Sequence, residues 1–214
     1  MIRRMVATVL VALGLSVANA ADRPDPGAFI QQLTEQLASE LEKNRDTFVR
    51  DHSALKAFAE QKVLPHVAAE KMARYALGKY WRRASEAQRE RFVAAFRDML
   101  LRSYANTLLK MKITGLKVER AVPGKRDRWQ VEQTVTREGA PETRVVYRLY
   151  WDRKANRWKI YDVVAENVSL LLNYRKVFAS ELQKKGLDRV IEEMEQRNRD
   201  FLEGKGEAEE ARAA

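Results

Sequence analysis

Asp51, His52 and Ser53 supply the three residue types of a hydrolytic triad, and they stand side by side in a chain whose only other histidine is His66. Adjacency argues against that chemistry. Consecutive residues project in different directions, whereas a working triad is brought together in space by folding. His66 follows Leu64 and Pro65 at the start of a predicted helix and reads as a structural or capping residue. Asp162 is the remaining candidate acid, because apolar residues flank it on a predicted strand. One carboxylate is weak ground for acid–base catalysis, and a buried carboxylate is ordinarily paired, with Arg175 the expected partner. The absence of cysteine removes thiol nucleophiles, disulfides and thiolate metal sites. No nucleophile elbow, phosphate-binding glycine loop, dinucleotide fingerprint or zinc-binding His-Glu-x-x-His is present. No catalytic residue, metal ligand or cofactor is therefore expected.

The elements around these residues change period along the chain. Ile30, Leu33, Leu37 and Leu41 recur at helical spacing over 26–43. Ser53 is placed to cap a second helix that Pro65 ends. A third runs over 68–77 to Gly78. Ser85 and Gln88 form a capping box ahead of Phe92, Phe96, Leu100, Tyr104 and Leu108, which fall four apart with Met99 beside them. Alternation replaces that pattern in four predicted strands, around Leu116 to Val122, Trp129 to Val135, Val145 to Trp151 and Trp158 to Val164. Their short connections favour an antiparallel meander. Ser169 can cap a further helix that Gly186 breaks, and a last helix runs from Leu187 to about Leu202. Helices, an antiparallel sheet of about four strands, then helices make an α+β domain.

The chain opens with Arg3 and Arg4, an apolar run from Met5 to Val17, and Ala18-Asn19-Ala20, the form of a cleavable signal peptide over 1–20. The run is shorter than the roughly 20 residues a membrane-crossing helix needs. With no cysteine at the cleavage site to carry lipid, the product is expected to be soluble in a periplasm, as one domain over 21–203 with a disordered tail at 204–214. Its net charge of +10 suits anionic headgroups or acidic partners. Trp81-Arg82-Arg83 mixes an aromatic with charge, but no nucleic-acid-binding signature is present and none is expected as a partner.

Two segments resemble the MlaC family of periplasmic phospholipid carriers. The first is "VLPHVAAEKMARYALGKYWRRASEAQRERFVAAFRDMLLRSYANTL", with its Leu-Pro start, Leu-Gly turn, Trp-Arg pair and spaced phenylalanines. The second is "IYDVVAENVSLLLNYRKVF", with Tyr-Asp-Val, Val-Ser-Leu and Asn-Tyr-Arg-x-x-Phe. There are two departures. Ala68 and Ala69 stand where the family often has an acid, and Asn167 stands where glycine is common. Asparagine tolerates a left-handed backbone, so the turn should survive.

The resemblance implies a twisted sheet packed by helices, similar to the nuclear-transport-factor-like fold, around a deep apolar cavity for acyl chains. It also implies a monomeric shuttle between an outer-membrane MlaA-like lipoprotein with its porin and an inner-membrane ABC transporter with an MCE-domain subunit, with bound phospholipid as cargo. On that reading the tail contacts are Phe92, Phe96, Met99, Leu100, Tyr104, Val145, Tyr147, Leu149, Val164, Val168, Leu171, Tyr174 and Phe178. Periodicity marks the inward face without saying whether that face is filled, so plain core is the competing reading for each. The rival functions are a periplasmic chaperone or adaptor holding clients on basic amphipathic helices, and an enzyme with Asp162 at a cavity floor.

Overall fold

The computed structural model describes residues 23–205. The expected signal peptide and nearly all of the expected tail lie outside the described residues. Helix α1 (Pro26–Lys43) has Pro26 in its first turn and the Asp25 carboxylate accepting from the Ala28 amide at 2.8 Å, both favourable where a helix begins. Two short helices follow, α2 (Arg45–Arg50) and α3 (His52–Phe58). Asp51 caps α3 by accepting from the Ser53 and Ala54 amides, so the cap falls there and not on Ser53 as expected. A π-helical turn and a 3-10 turn lead to α4 (Ala69–Leu77), closed by Gly78 at φ +54, where a side chain would be strained. After α5 (Lys79–Arg83), the Ser85–Gln88 capping box forms as expected and starts α6 (Glu86–Lys110).

The sheet has five antiparallel strands in chain order: β1 (Ile113–Pro123), β2 (Arg128–Arg137), β3 (Ala140–Asp152), β4 (Arg157–Ala165) and β5 (Val168–Ser169). The fifth, unexpected strand has two residues, too few to show an alternation. It covers one end of the β4 edge. Further along, Ala68 donates to the Ile160 carbonyl at 2.8 Å and Val67 bridges Ile160, so little of that edge is left open. Between β4 and β5, Asn167 takes φ +66, the left-handed turn foreseen for it. Helices α7 (Leu170–Lys185) and α8 (Leu187–Leu202) complete the α+β domain.

The interior divides into separate apolar clusters. One joins α4, α6, α7 and α8, with Phe92, Phe96, Tyr174 and Phe178 in ring contact. A second lies where α1 covers one face of the sheet, through Ile30, Leu33, Val131, Leu149, Trp151 and Trp158. A third joins α2 and α3 to the ends of α6 and α8 through Phe48, Leu55, Leu109 and Phe201. Helix α6 packs on α8, α4, α1 and α2.

Candidate functional site

Asp51, His52 and Asp162 are committed to structure. The Asp51 carboxylate is the α3 cap. His52 stacks on Phe201 at 4.2 Å, with its Nδ1 2.7 Å from the Phe201 carbonyl. His66 tilts against Phe29 at 5.4 Å, and burial, followed by the charges of Arg157 and Lys159, holds its pKa down. The Asp162 carboxylate is 1% exposed. It accepts from the Arg148 guanidinium at 2.9 Å, the Ser169 hydroxyl at 2.7 Å and the Leu171 amide at 3.0 Å. Its partner is thus Arg148, across the β3–β4 register, and not Arg175, whose guanidinium lies over the Tyr75 ring at 4.6 Å. The Ser169 oxygen also accepts from the Leu172 amide and so caps α7. One carboxylate therefore ties β3, β4, β5 and α7 together, which is how an apolar strand becomes a helix within a few residues. Among the described residues no group of three or more metal-ligating side chains occurs.

The expected tail contacts on α6 split along its length. Phe92, Phe96 and Met99 are buried in the helical cluster, while Leu100 and Tyr104 only pack against it. The reason is geometric. Each step of four residues overshoots a full turn by about 40°, so a stripe spaced four apart winds around its helix. By Leu108 the stripe has left the core, and that residue is 41% exposed. On α7, Leu171, Tyr174 and Phe178 close the same cluster. The Tyr174 hydroxyl donates to Tyr104 at 3.3 Å, and burial, then that bond, raises its pKa.

On the sheet, Leu149 is fully buried under α1, with Tyr147 beside it. Val145 shares their face by alternation and stays half-buried. A β-bulge between Leu149–Ile160 and Arg148–Asp162 inserts Tyr161 and reverses the parity of β4 beyond it. Val164 therefore pairs with Val146 on the opposite face, and Val163 takes the inward place that the alternation assigned to it. Val168, on β5, is 55% exposed.

A buried polar group on the inward face was not anticipated. Gln133, wholly buried, donates to the Thr34 hydroxyl at 2.8 Å and accepts from the Tyr147 hydroxyl at 3.2 Å. Burial pushes the Tyr147 phenol up to about 12. The signal lay in the alternation: Gln133 occupies an inward position between Val131 and Val135. A pocket of about 400 Å³ opens between the end of α1, the start of α2, the end of α6 and the start of β1, lined by Leu41, Arg45, Leu108, Met111 and Ile113 among others. Leu108 brings the winding stripe of α6 to that opening; none of the expected tail contacts lines it.

The model of the family described as MlaC protein matches residues 31–196. The intermembrane phospholipid transport system binding protein MlaC of Haemophilus influenzae is 24% identical over 193 residues, 89% of this chain and 90% of that protein. The toluene tolerance protein ttg2D of Pseudomonas putida is 26% identical over 194 residues, covering 89% and 88%. Among solved structures, the phospholipid-binding protein of Ralstonia solanacearum in complex with a phospholipid superposes with a TM-score of 0.74 at 20% identity, over 83% of this chain and 98% of that one.

Proposed function

Since the chain belongs to the MlaC family, we propose that it is a soluble periplasmic carrier, exported by cleavage of residues 1–20, that binds a phospholipid by its acyl chains. It moves that lipid between an outer-membrane MlaA-like lipoprotein with its porin and an inner-membrane ABC transporter with an MCE-domain subunit, and so maintains the lipid asymmetry of the outer membrane. Phospholipid is cargo, and no covalent step is needed.

The observation that carries the reading is incomplete burial on two apolar surfaces. Leu100 and Tyr104 on the later half of α6 and the inward face of β2 and β3 belong to separate apolar clusters. Leu100, Tyr104, Trp129, Val145 and Tyr147 stay half-buried where a filled core would close over them. Acyl chains between these surfaces would complete the packing. The fully buried Phe92, Phe96 and Leu149 would then stand behind that wall as its support.

The energetics favour such a carrier. Two acyl chains hold about 30 methylenes, and exposing them to water costs on the order of 24 kcal/mol. Uncarried diffusion across an aqueous gap is therefore negligible. An interior about as apolar as a bilayer removes that cost without binding so tightly that release fails.

The test is exchange of labelled phospholipid between two vesicle populations separated by a barrier that passes protein and not vesicles. The wild type is expected to transfer label catalytically, and Leu100→Trp to transfer severalfold less. Transfer no faster than without protein would overturn the reading.

A further inference from the structure

Residues 71–83, running from α4 into α5, hold Lys71, Arg74, Lys79, Arg82 and Arg83 and neither Asp nor Glu. Among the described residues none of these five forms an ion pair, and neither do Arg175 and Lys176 on the adjoining stretch of α7. Several cations elsewhere are paired. On α8, Glu193 holds Lys185, Arg189 and Arg197, and Glu195 holds Arg91. On the sheet, Glu132 sits between Arg120 and Arg144.

Aromatic rings hold three of these charges and the neighbouring Arg89, with Lys71 over Tyr150 at 3.3 Å. Arg175 lies over Tyr75 at 4.6 Å, Lys79 over Tyr80 at 5.4 Å, and Arg89 over Trp81 at 5.5 Å. Ring contact positions a cation without neutralising it. The patch joins α7 to the end of α4, because the Arg175 guanidinium also donates to the Tyr75 carbonyl at 3.5 Å. Large apolar side chains are exposed along it: Tyr75 at 39%, and Leu172, one turn before Arg175, at 48%.

We propose that this edge, formed by α4, α5 and the start of α7, is the face by which the protein lies against an anionic phospholipid bilayer. Uncompensated charge selects an anionic occupant. The mixture of side chains selects a bilayer over an acidic protein surface. Tyrosine and tryptophan, with apolar bodies and polar tips, suit the headgroup level, and Leu172 is free to enter the acyl boundary. No helix among the described residues is long and apolar enough to cross a membrane, so the contact is peripheral. Such docking would bring an exchange site to its donor surface. It does not depend on what the interior carries.

The test uses the mature protein sedimented with vesicles of phosphatidylcholine alone or with a quarter phosphatidylglycerol. Binding is expected to the anionic vesicles only and to weaken with salt. At about fivefold per cation near such a surface, Arg82→Glu with Arg83→Glu should weaken binding at least ~25-fold. Arg189→Glu with Arg199→Glu, on α8, makes the same change in net charge and should cost far less. Thermal melts check that both pairs fold. Phospholipid extracted from each preparation separates loss of docking from loss of cargo: the Arg82/Arg83 variant should keep wild-type content. Equal weakening by the two pairs would show a response to net charge alone and overturn the proposal. So would a wild type that ignores anionic vesicles, which would leave an acidic protein surface as the occupant of this face.

Discussion

Helix α6 carries one repeating pattern into two environments. In its first half Phe92 and Phe96 are 0% exposed and locked against Tyr174 and Phe178. In its second half Leu100 and Tyr104 are half-buried, and Leu108 reaches the open pocket. The residue types differ little. What changes is the direction they face, because a four-residue spacing winds about 40° per step around a helix of 3.6 residues per turn. The first half points into its own protein's packing. The second winds out of that packing toward the pocket that Leu108 lines. On the proposed function, apolar character without closure, and not apolar character alone, would mark the lipid wall.

Substitutions in the two halves should separate these roles. Phe96→Ala opens a cavity in closed packing and should cost about 4 kcal/mol by chemical denaturation, with phospholipid content unchanged while the protein stays folded. A small stability loss with lost lipid would place Phe96 in the wall and erase the distinction between the halves. Asp162→Ala tests the joint between the sheet and the helical cluster. It leaves Arg148 and the Leu171 amide without their acceptor and should cost about 3 kcal/mol. A neutral result would mean that α7 is held by apolar packing alone.

Tyr147 sharpens the comparison from the sheet side. Burial disfavours its phenolate and raises its pKa from 10.0 to about 12. Its contribution to stability is therefore complete below pH 10 and is lost as pH rises from 10 to 12, at up to about 1.4 kcal/mol per pH unit. Tyr147→Phe should flatten that part of the alkaline decline measured by denaturation at successive pH values. An unchanged slope would mean that the hydroxyl reaches water. The smallest stability effect is expected from Leu100→Trp. Overpacking costs about 1–3 kcal/mol only where space is already filled, so this change should stay within ~1 kcal/mol while lowering lipid content severalfold.

The sequence was most legible where the signal is local. The Ser85–Gln88 box, the Ser169 cap, the left-handed Asn167 and the hairpin strands all follow from neighbouring residues. Short α2 and α5 escaped because neither is long enough to show a period. The Tyr161 bulge escaped because an inserted residue inside an apolar run leaves no break in hydrophobicity, yet it carries Val164 to the far face. Arg148 was missed as the partner of Asp162 because that pairing is set by strand register and not by proximity along the chain. The winding of the α6 stripe was present in its spacing, but which residues would be left uncovered depended on how the other helices pack.

The most direct measurement is native mass spectrometry of the mature protein recovered from a Gram-negative periplasm without detergent. A hollow interior completed by hydrocarbon predicts about one phospholipid per chain, removed by delipidation and restored on incubation with vesicles. Protein recovered consistently at the mass of the bare chain, and unable to take up phospholipid afterwards, would contradict it.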